Sequence, residues 1–287
     1  MSVERVGVVG GGLMGSGIAE VCARAGQVVV VREVNDHAMA AAEHRIASSL
    51  DRAVRNGKLP ADERERVRDS IHITTDWEQL GECQLVVEAV VEDEKRKLEV
   101  FRQLDQVVSS PDAVLASNTS SIPIMKLAMA TSRPGSVIGI HFFNPVPVLR
   151  LVEIVTSLLT TEPTVQAAEE FAVTQLGKRA IRSQDRAGFI VNALLIPYLL
   201  SAVRMLESGF ASREDIDAGM IEGCAHPMGP LALSDLIGLD TTMAVAESLY
   251  EEFKEPLYAP PPLLSRMVEA GLLGRKTGRG FYDYTRA

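Results

Sequence analysis

An apolar strand that runs straight into a cluster of glycines leaves this chain the fewest alternatives. Val6–Val9 leads directly into Gly10-Gly11-Gly12-Leu13-Met14-Gly15-Ser16-Gly17, and a helical pattern follows. Gly10, Gly12 and Gly15 form G-x-G-x-x-G. The first permits a tight turn, the second lets backbone approach a pyrophosphate, and the third allows close helix–strand packing. A pyrophosphate then rests on the helix N-terminus, at Leu13 and Met14, where unpaired N–H groups and the positive dipole end favour an anion. Alone, the motif also describes an ordinary glycine-rich turn. Its context decides the matter, because Glu33 stands at the end of the second strand, 21 residues beyond Gly12. That is near the spacing of a carboxylate that accepts the adenosine ribose hydroxyls. The pattern predicts a dinucleotide site. A carboxylate there repels a 2′-phosphate and favours NAD over NADP, whereas Arg32 next door argues for NADP.

The surrounding sequence fits an α/β domain. Compact apolar runs at Val6–Val9, Val28–Val31, Leu85–Val87, Val114–Ala116 and Val137–Ile140 suit strands buried on both faces. Helical patterns lie between them, near 13–25, 36–55, 60–69 and 94–108. Such alternation predicts a Rossmann-type, doubly wound parallel sheet. Leu151–Val155 reads as one more strand. Beyond about Asp185 the β-branched runs stop, and helices are expected over 189–208, 212–222 and 230–252. We therefore expect a dinucleotide-binding domain over 1–186 and a smaller all-helical domain over 187–287.

Composition narrows the class further. A hydrophobic share of 46% and a charged share of 23% are those of an ordinary soluble protein. No apolar run approaches the roughly 20 residues that span a bilayer, and Val6–Val9 is too short for a signal-peptide core. A cytoplasmic protein without a membrane partner is expected. The formal charge of −9 argues against nucleic acid, whose phosphates need a basic face. Cys22, Cys83 and Cys224 are scattered and form neither a disulfide framework nor a metal site. All three are expected in the core.

In open α/β sheets ligands bind beyond the carboxyl ends of the strands. There stand Ser117-Asn118-Thr119-Ser120-Ser121 and His141-Phe142-Phe143-Asn144-Pro145. Twelve residues after His141, Glu153 interrupts an apolar strand. A buried carboxylate costs several kcal/mol unless paired, and His141 is the obvious partner. Alone, His141 would read as a structural histidine, and Ser120 as a serine of a turn or helix cap. Histidine suits proton transfer because its unperturbed pKa of about 6.5 lies near working pH.

At these residues the chain resembles the L-3-hydroxyacyl-CoA dehydrogenase family, essentially end to end. The resemblance runs through GGGLMGSGIA, EAVVEDEKRK, SNTSS, HFFNPVPV, GFIVN, HPMGP and GRKTGRGFYDY, in that order. It implies that NAD is the cofactor and a 3-hydroxyacyl-CoA the substrate, with a four-carbon acyl group favoured. It implies that His141 is the general base and that Glu153 orients and stabilises its imidazolium. Ser120 would bond the reacting oxygen, and Asn192 would lie near the thioester end. Glu92, Lys97, Asn144 and Lys276 match positions that touch NAD, although either lysine could simply be solvated. The family also implies a homodimer through the helical lobe. Departures are Ala187 for a usual proline, Ala193 for a frequent arginine and Asp93 for a common asparagine.

The helix near 36–55 carries Arg45, Arg52 and Arg55 on one broad face, with Lys58 just beyond. Family members use basic residues at or near Arg52 and Lys58 for the phosphates of CoA. Interspersed acids equally fit a solvated helix. Two other functions compete: a sugar-acid dehydrogenase of the L-gulonate type, and a non-catalytic NAD-binding protein of this fold. Dehydrogenases with a catalytic lysine are a weaker rival, because HFFNPVPV with a paired glutamate is not their pattern.

Overall fold

The computed structural model describes residues 3–285, which form two compact units, one ending at Asp185 and one beginning at Arg186. The first unit is built on one eight-stranded sheet in the order β3-β2-β1-β4-β5-β6-β7-β8. The strands are β1 (Arg5–Val9), β2 (Val28–Arg32), β3 (Ile71–Thr74), β4 (Leu85–Glu88), β5 (Val114–Ser117), β6 (Val137–Phe142), β7 (Leu151–Thr156) and β8 (Arg179–Gln184). The helices α1 (Leu13–Arg24), α2 (Asp36–Arg55), α3 (Glu63–Asp69), α4 (Glu94–Val107), α5 (Ile124–Ala128) and α6 (Glu162–Glu169) connect them.

The strands from β3 to β6 are all parallel. Their apolar runs are continuous because both faces are covered, and Val29–Val31 and Leu85–Val87 are wholly buried. The sheet departs from the all-parallel expectation at β7, which pairs antiparallel with β6. Only residues 143–150 separate those two strands. A parallel return needs a crossover of a dozen or more residues, so the chain must turn back.

β3 and β8, both missed by pattern, are the edge strands. Their sequences, IHIT and RAIRSQ, carry exposed polar residues instead of an apolar run. Polar edges discourage pairing with other chains, and that same polarity hides them from a hydrophobicity scan.

The second unit is helical: α7 (Val191–Glu207), α8 (Arg213–Cys224), α9 (Pro230–Ile237), α10 (Leu239–Phe253) and α11 (Pro262–Glu269). The single helix expected over 230–252 is two, broken at Gly238, whose φ is +103°. Leu200, Val203, Leu231, Leu239, Ala246, Leu249 and Leu264 make its core. The closing GFYDY segment is anchored by two acids. Asp235 accepts the Phe281 and Tyr282 N–H groups and the Tyr284 hydroxyl, and Asp217 accepts the Tyr282 hydroxyl and caps the start of α9. Burial raises the Asp235 pKa despite those donors.

Of the cysteines, Cys22 and Cys83 are buried, and burial pushes both thiols up. Cys224 is exposed at the end of α8, so the expectation of three core cysteines fails there. No described helix is long and apolar enough to cross a membrane.

Candidate active site

The nucleotide end is shaped by close packing. An added Cβ at Gly15 would lie 1.8 Å from the Gly10 carbonyl oxygen, so only glycine lets α1 sit this near the turn. A Cβ at Gly12 would meet nothing within 4 Å, which leaves the backbone approachable from outside. No side chain caps the N-terminus of α1, where Leu13 is exposed and Met14 half-buried. Open N–H groups beside an approachable backbone fit a pyrophosphate.

Glu33 follows β2 and leans over this loop. Its Oε1 accepts the Gly11 N–H at 2.6 Å, and its Oε2 accepts the Val34 N–H at 3.1 Å. The Gly11 carbonyl is held from the other side by the Ser16 hydroxyl at 2.7 Å and by Arg45 at 3.2 Å. Arg45 thus leaves the basic face proposed for α2 and supports the glycine loop. Arg52 and Lys58 remain exposed, at the last turn of α2 and just beyond it.

A buried charge network links β4 to the serine-rich loop after β5. Lys97 is buried (1% exposed), not solvated, and its ammonium donates to both oxygens of the fully buried Glu88 at 2.7 and 3.0 Å. It also lies 3.1 Å from Glu92. Glu88 further accepts the Ser117 hydroxyl and the Val90 N–H. Glu92 accepts the Thr119 hydroxyl, the Ser120 N–H and the Ser121 hydroxyl. Burial opposes its charge, but Lys97 and these donors outweigh that and hold the carboxyl below its ordinary pKa. Glu88 was missed in the sequence, although it shows the signal that marked Glu153, an acid in an apolar strand. Asp93 supplies the N-cap of α4, accepting the Arg96 N–H at 2.9 Å.

His141 and Glu153 are directly opposed in the antiparallel β6–β7 register. Opposed side chains share one face with Cβ atoms about 5 Å apart, so a separation of twelve residues becomes a contact. Nδ1 of His141 lies 2.8 Å from Glu153 Oε2, and Nε2 lies 3.1 Å from the Ser120 hydroxyl. His141 is 4% exposed and Glu153 is fully buried. A carboxylate only accepts, so a proton on Nδ1 faces Glu153, an arrangement that in the neutral ring leaves the lone pair on Nε2. The Asn118 side chain accepts the Phe142 N–H at 2.9 Å and ties the two strand ends together. Asn118 too was passed over, because the motif offers several polar residues of which pattern favours none.

Asn144 is exposed in the loop after β6. Asn192 and Lys276 belong to the second unit. Asn192 is half-buried at the start of α7, and Lys276 pairs with Asp240 at 2.5 Å. Among the described residues no group of three or more His, Cys, Asp or Glu side chains is arranged to hold a metal.

Comparison with known proteins agrees with this geometry. Residues 5–186 match the profile of the 3-hydroxyacyl-CoA dehydrogenase NAD binding domain, and residues 188–284 match that of its C-terminal domain. A 3-hydroxybutyryl-CoA dehydrogenase of Mycobacterium tuberculosis is 60% identical over 99% of both chains. A probable 3-hydroxybutyryl-CoA dehydrogenase of Deinococcus radiodurans is 45% identical over 98% of this chain and 100% of its own. The solved (S)-3-hydroxybutyryl-CoA dehydrogenase of Ralstonia eutropha superposes with a TM-score of 0.93 at 46% identity, covering 99% of this chain and 100% of that one. With both halves matched and full-length relatives this similar, the chain belongs to the 3-hydroxyacyl-CoA dehydrogenase family and is an NAD-dependent oxidoreductase.

Proposed function

We propose that the chain interconverts 3-hydroxybutyryl-CoA and acetoacetyl-CoA, with His141 and Glu153 as its acid–base pair. The observation that carries the reading is the chain of contacts from buried Glu153 through buried His141 to half-buried Ser120, at 2.8 and 3.1 Å. NAD, when bound, supplies the oxidant. His141 Nε2 takes the proton of the 3-hydroxyl, because Glu153 holds the other ring nitrogen as a donor. Glu153 then faces the imidazolium and stabilises its charge, the logic of the acid in a serine-protease triad. Ser120 hydrogen-bonds the reacting oxygen, and Glu92 fixes the Ser120 backbone. Glu33 is assigned to the adenosine ribose. Asn144, Lys97 and Lys276 are assigned to the nicotinamide cofactor, and Asn192 to the substrate. Lys97 acts through Glu92, since its ammonium is already held by two carboxylates.

The CoA-thioester names of relatives 40–60% identical to this chain favour a thioester over a sugar acid. A steady-state assay with NADH, comparing acetoacetyl-CoA and L-gulonate's keto product, tests the choice. Turnover of the thioester alone is expected, and the reverse preference overturns the reading. We assign Arg52 and Lys58 to the phosphates of the carrier. In the same assay, replacing both with alanine should raise KM for acetoacetyl-CoA and leave kcat nearly unchanged, the signature of lost uniform binding. An unchanged KM returns both to the solvated surface.

We further propose a cytoplasmic homodimer, joined through the helical unit. Supporting it, Leu194 is 72% exposed and Leu236 48%, apolar side chains that a partner copy would cover. Light scattering should give about twice the 31.1 kDa of one chain. A single-chain mass at micromolar concentration refutes the dimer. Location is inferred from composition, with hydrophobic and charged shares of 46% and 23%.

A further inference from the structure

Arg32 and Glu33 are neighbours at the end of β2, and strand alternation sends their side chains to opposite sides. Glu33 bends over the glycine loop, whereas the Arg32 guanidinium carbon lies 4.0 Å from the centre of the Trp77 ring. Trp77 sits in the turn after β3, which is pinned from several directions. Asp76 N–H donates to the Thr74 hydroxyl, Leu80 N–H donates to the Trp77 carbonyl, and Leu80 is fully buried. Arg32 is half-buried, and its Nε is buried without a hydrogen-bond partner. The guanidinium is thus committed to an aromatic face, a stable seat for a weakly hydrated cation.

A basic side chain beside the second strand is what an NADP site uses to receive the 2′-phosphate. This chain has one at that place and holds it elsewhere. We propose that Trp77 is a cofactor-specificity residue: it stacks on Arg32 and keeps the guanidinium from the ribose 2′ position, which Glu33 alone then faces. The inference rests on the nucleotide reading of the glycine loop.

Calorimetric binding of NADH and NADPH to the full chain, with no acyl substrate present, tests it. Trp77→Ala should narrow the preference for NADH by roughly tenfold through tighter NADPH binding, the worth of one charge-assisted hydrogen bond. NADH affinity should stay within about twofold, because Glu33 and the loop are untouched. Trp77→Phe keeps an aromatic face and should behave as the parent. The gain should vanish when Arg32→Ala is added, and its survival in that double variant overturns the proposal. Arg32→Ala alone gives a test that does not depend on altering the Trp77 turn. It should leave NADPH affinity unchanged, and weaker NADPH binding would mean the guanidinium already reaches the phosphate, which also overturns it. Failure of the unaltered chain to bind NADH would overturn the nucleotide reading itself, an outcome separate from an unmoved NADH/NADPH ratio.

Discussion

His141→Gln is expected to lower kcat for acetoacetyl-CoA reduction by roughly 10²–10⁴, the usual worth of a general acid–base. Glutamine fills much of the same space but neither takes nor gives a proton at the reacting oxygen. NADH affinity should persist, since the glycine loop and Glu33 lie on other strands. Glu153→Gln should also lose most activity, because a neutral amide does not stabilise the imidazolium that donates the proton in reduction. Pre-steady-state reduction measured in both variants is the test. Near-parent rates for His141→Gln would sink the mechanism, whereas near-parent rates for Glu153→Gln would sink only the pairing.

The dyad was legible in the sequence because two independent rules met on it. An acid in an apolar strand demands a partner, and a strand end on the carboxyl rim is where a ligand site belongs. The antiparallel return that joins His141 to Glu153 was not anticipated, yet it is implied by the shortness of the loop between them. The place of Glu33 beside the glycine loop follows from its spacing and its position at the end of the second strand. The edge strands β3 and β8 were not, since their polar side chains carry no apolar period. The break at Gly238 was overlooked for the opposite reason, as apolar periodicity continues on either side of it. Arg45 and Trp77 gain their surroundings only from tertiary packing. Arg45 lies 34 residues from the loop that it supports, and Trp77, in the turn after β3, stacks on a residue of β2. No local pattern marks either.

Lys97 is the clearest case of a residue whose environment a local pattern misreads, and it carries the largest expected effect on stability. In Glu94-Lys95-Arg96-Lys97-Leu98-Glu99 it sits in a charge run of the kind that usually marks a solvated helix face. The fold instead turns it inward, against a carboxylate contributed by β4. Removing one partner of such a pair leaves the other charged, buried and unmatched, at a cost of about 3–5 kcal/mol. Lys97→Met keeps most of the volume and removes the ammonium, so packing loss stays small and the electrostatic loss dominates. For a chain of this size that predicts a melting temperature lower by roughly 6–20 °C. Glu88→Gln added to Lys97→Met removes the stranded charge and should recover much of the loss, because an amide can still pair with Ser117 and the Val90 N–H. The serine loop hangs on the same network through Glu92, so Lys97→Met should also lower turnover at temperatures where it remains folded. Calorimetric unfolding of the single and double variants, with turnover measured below the transition, reads all of this. A Lys97→Met variant that melts within about 2 °C of the parent, a shift worth less than about 1 kcal/mol, would show that the pair contributes little. Equal melting temperatures for the single and double variants would show that the stranded Glu88 charge is not what destabilises the fold.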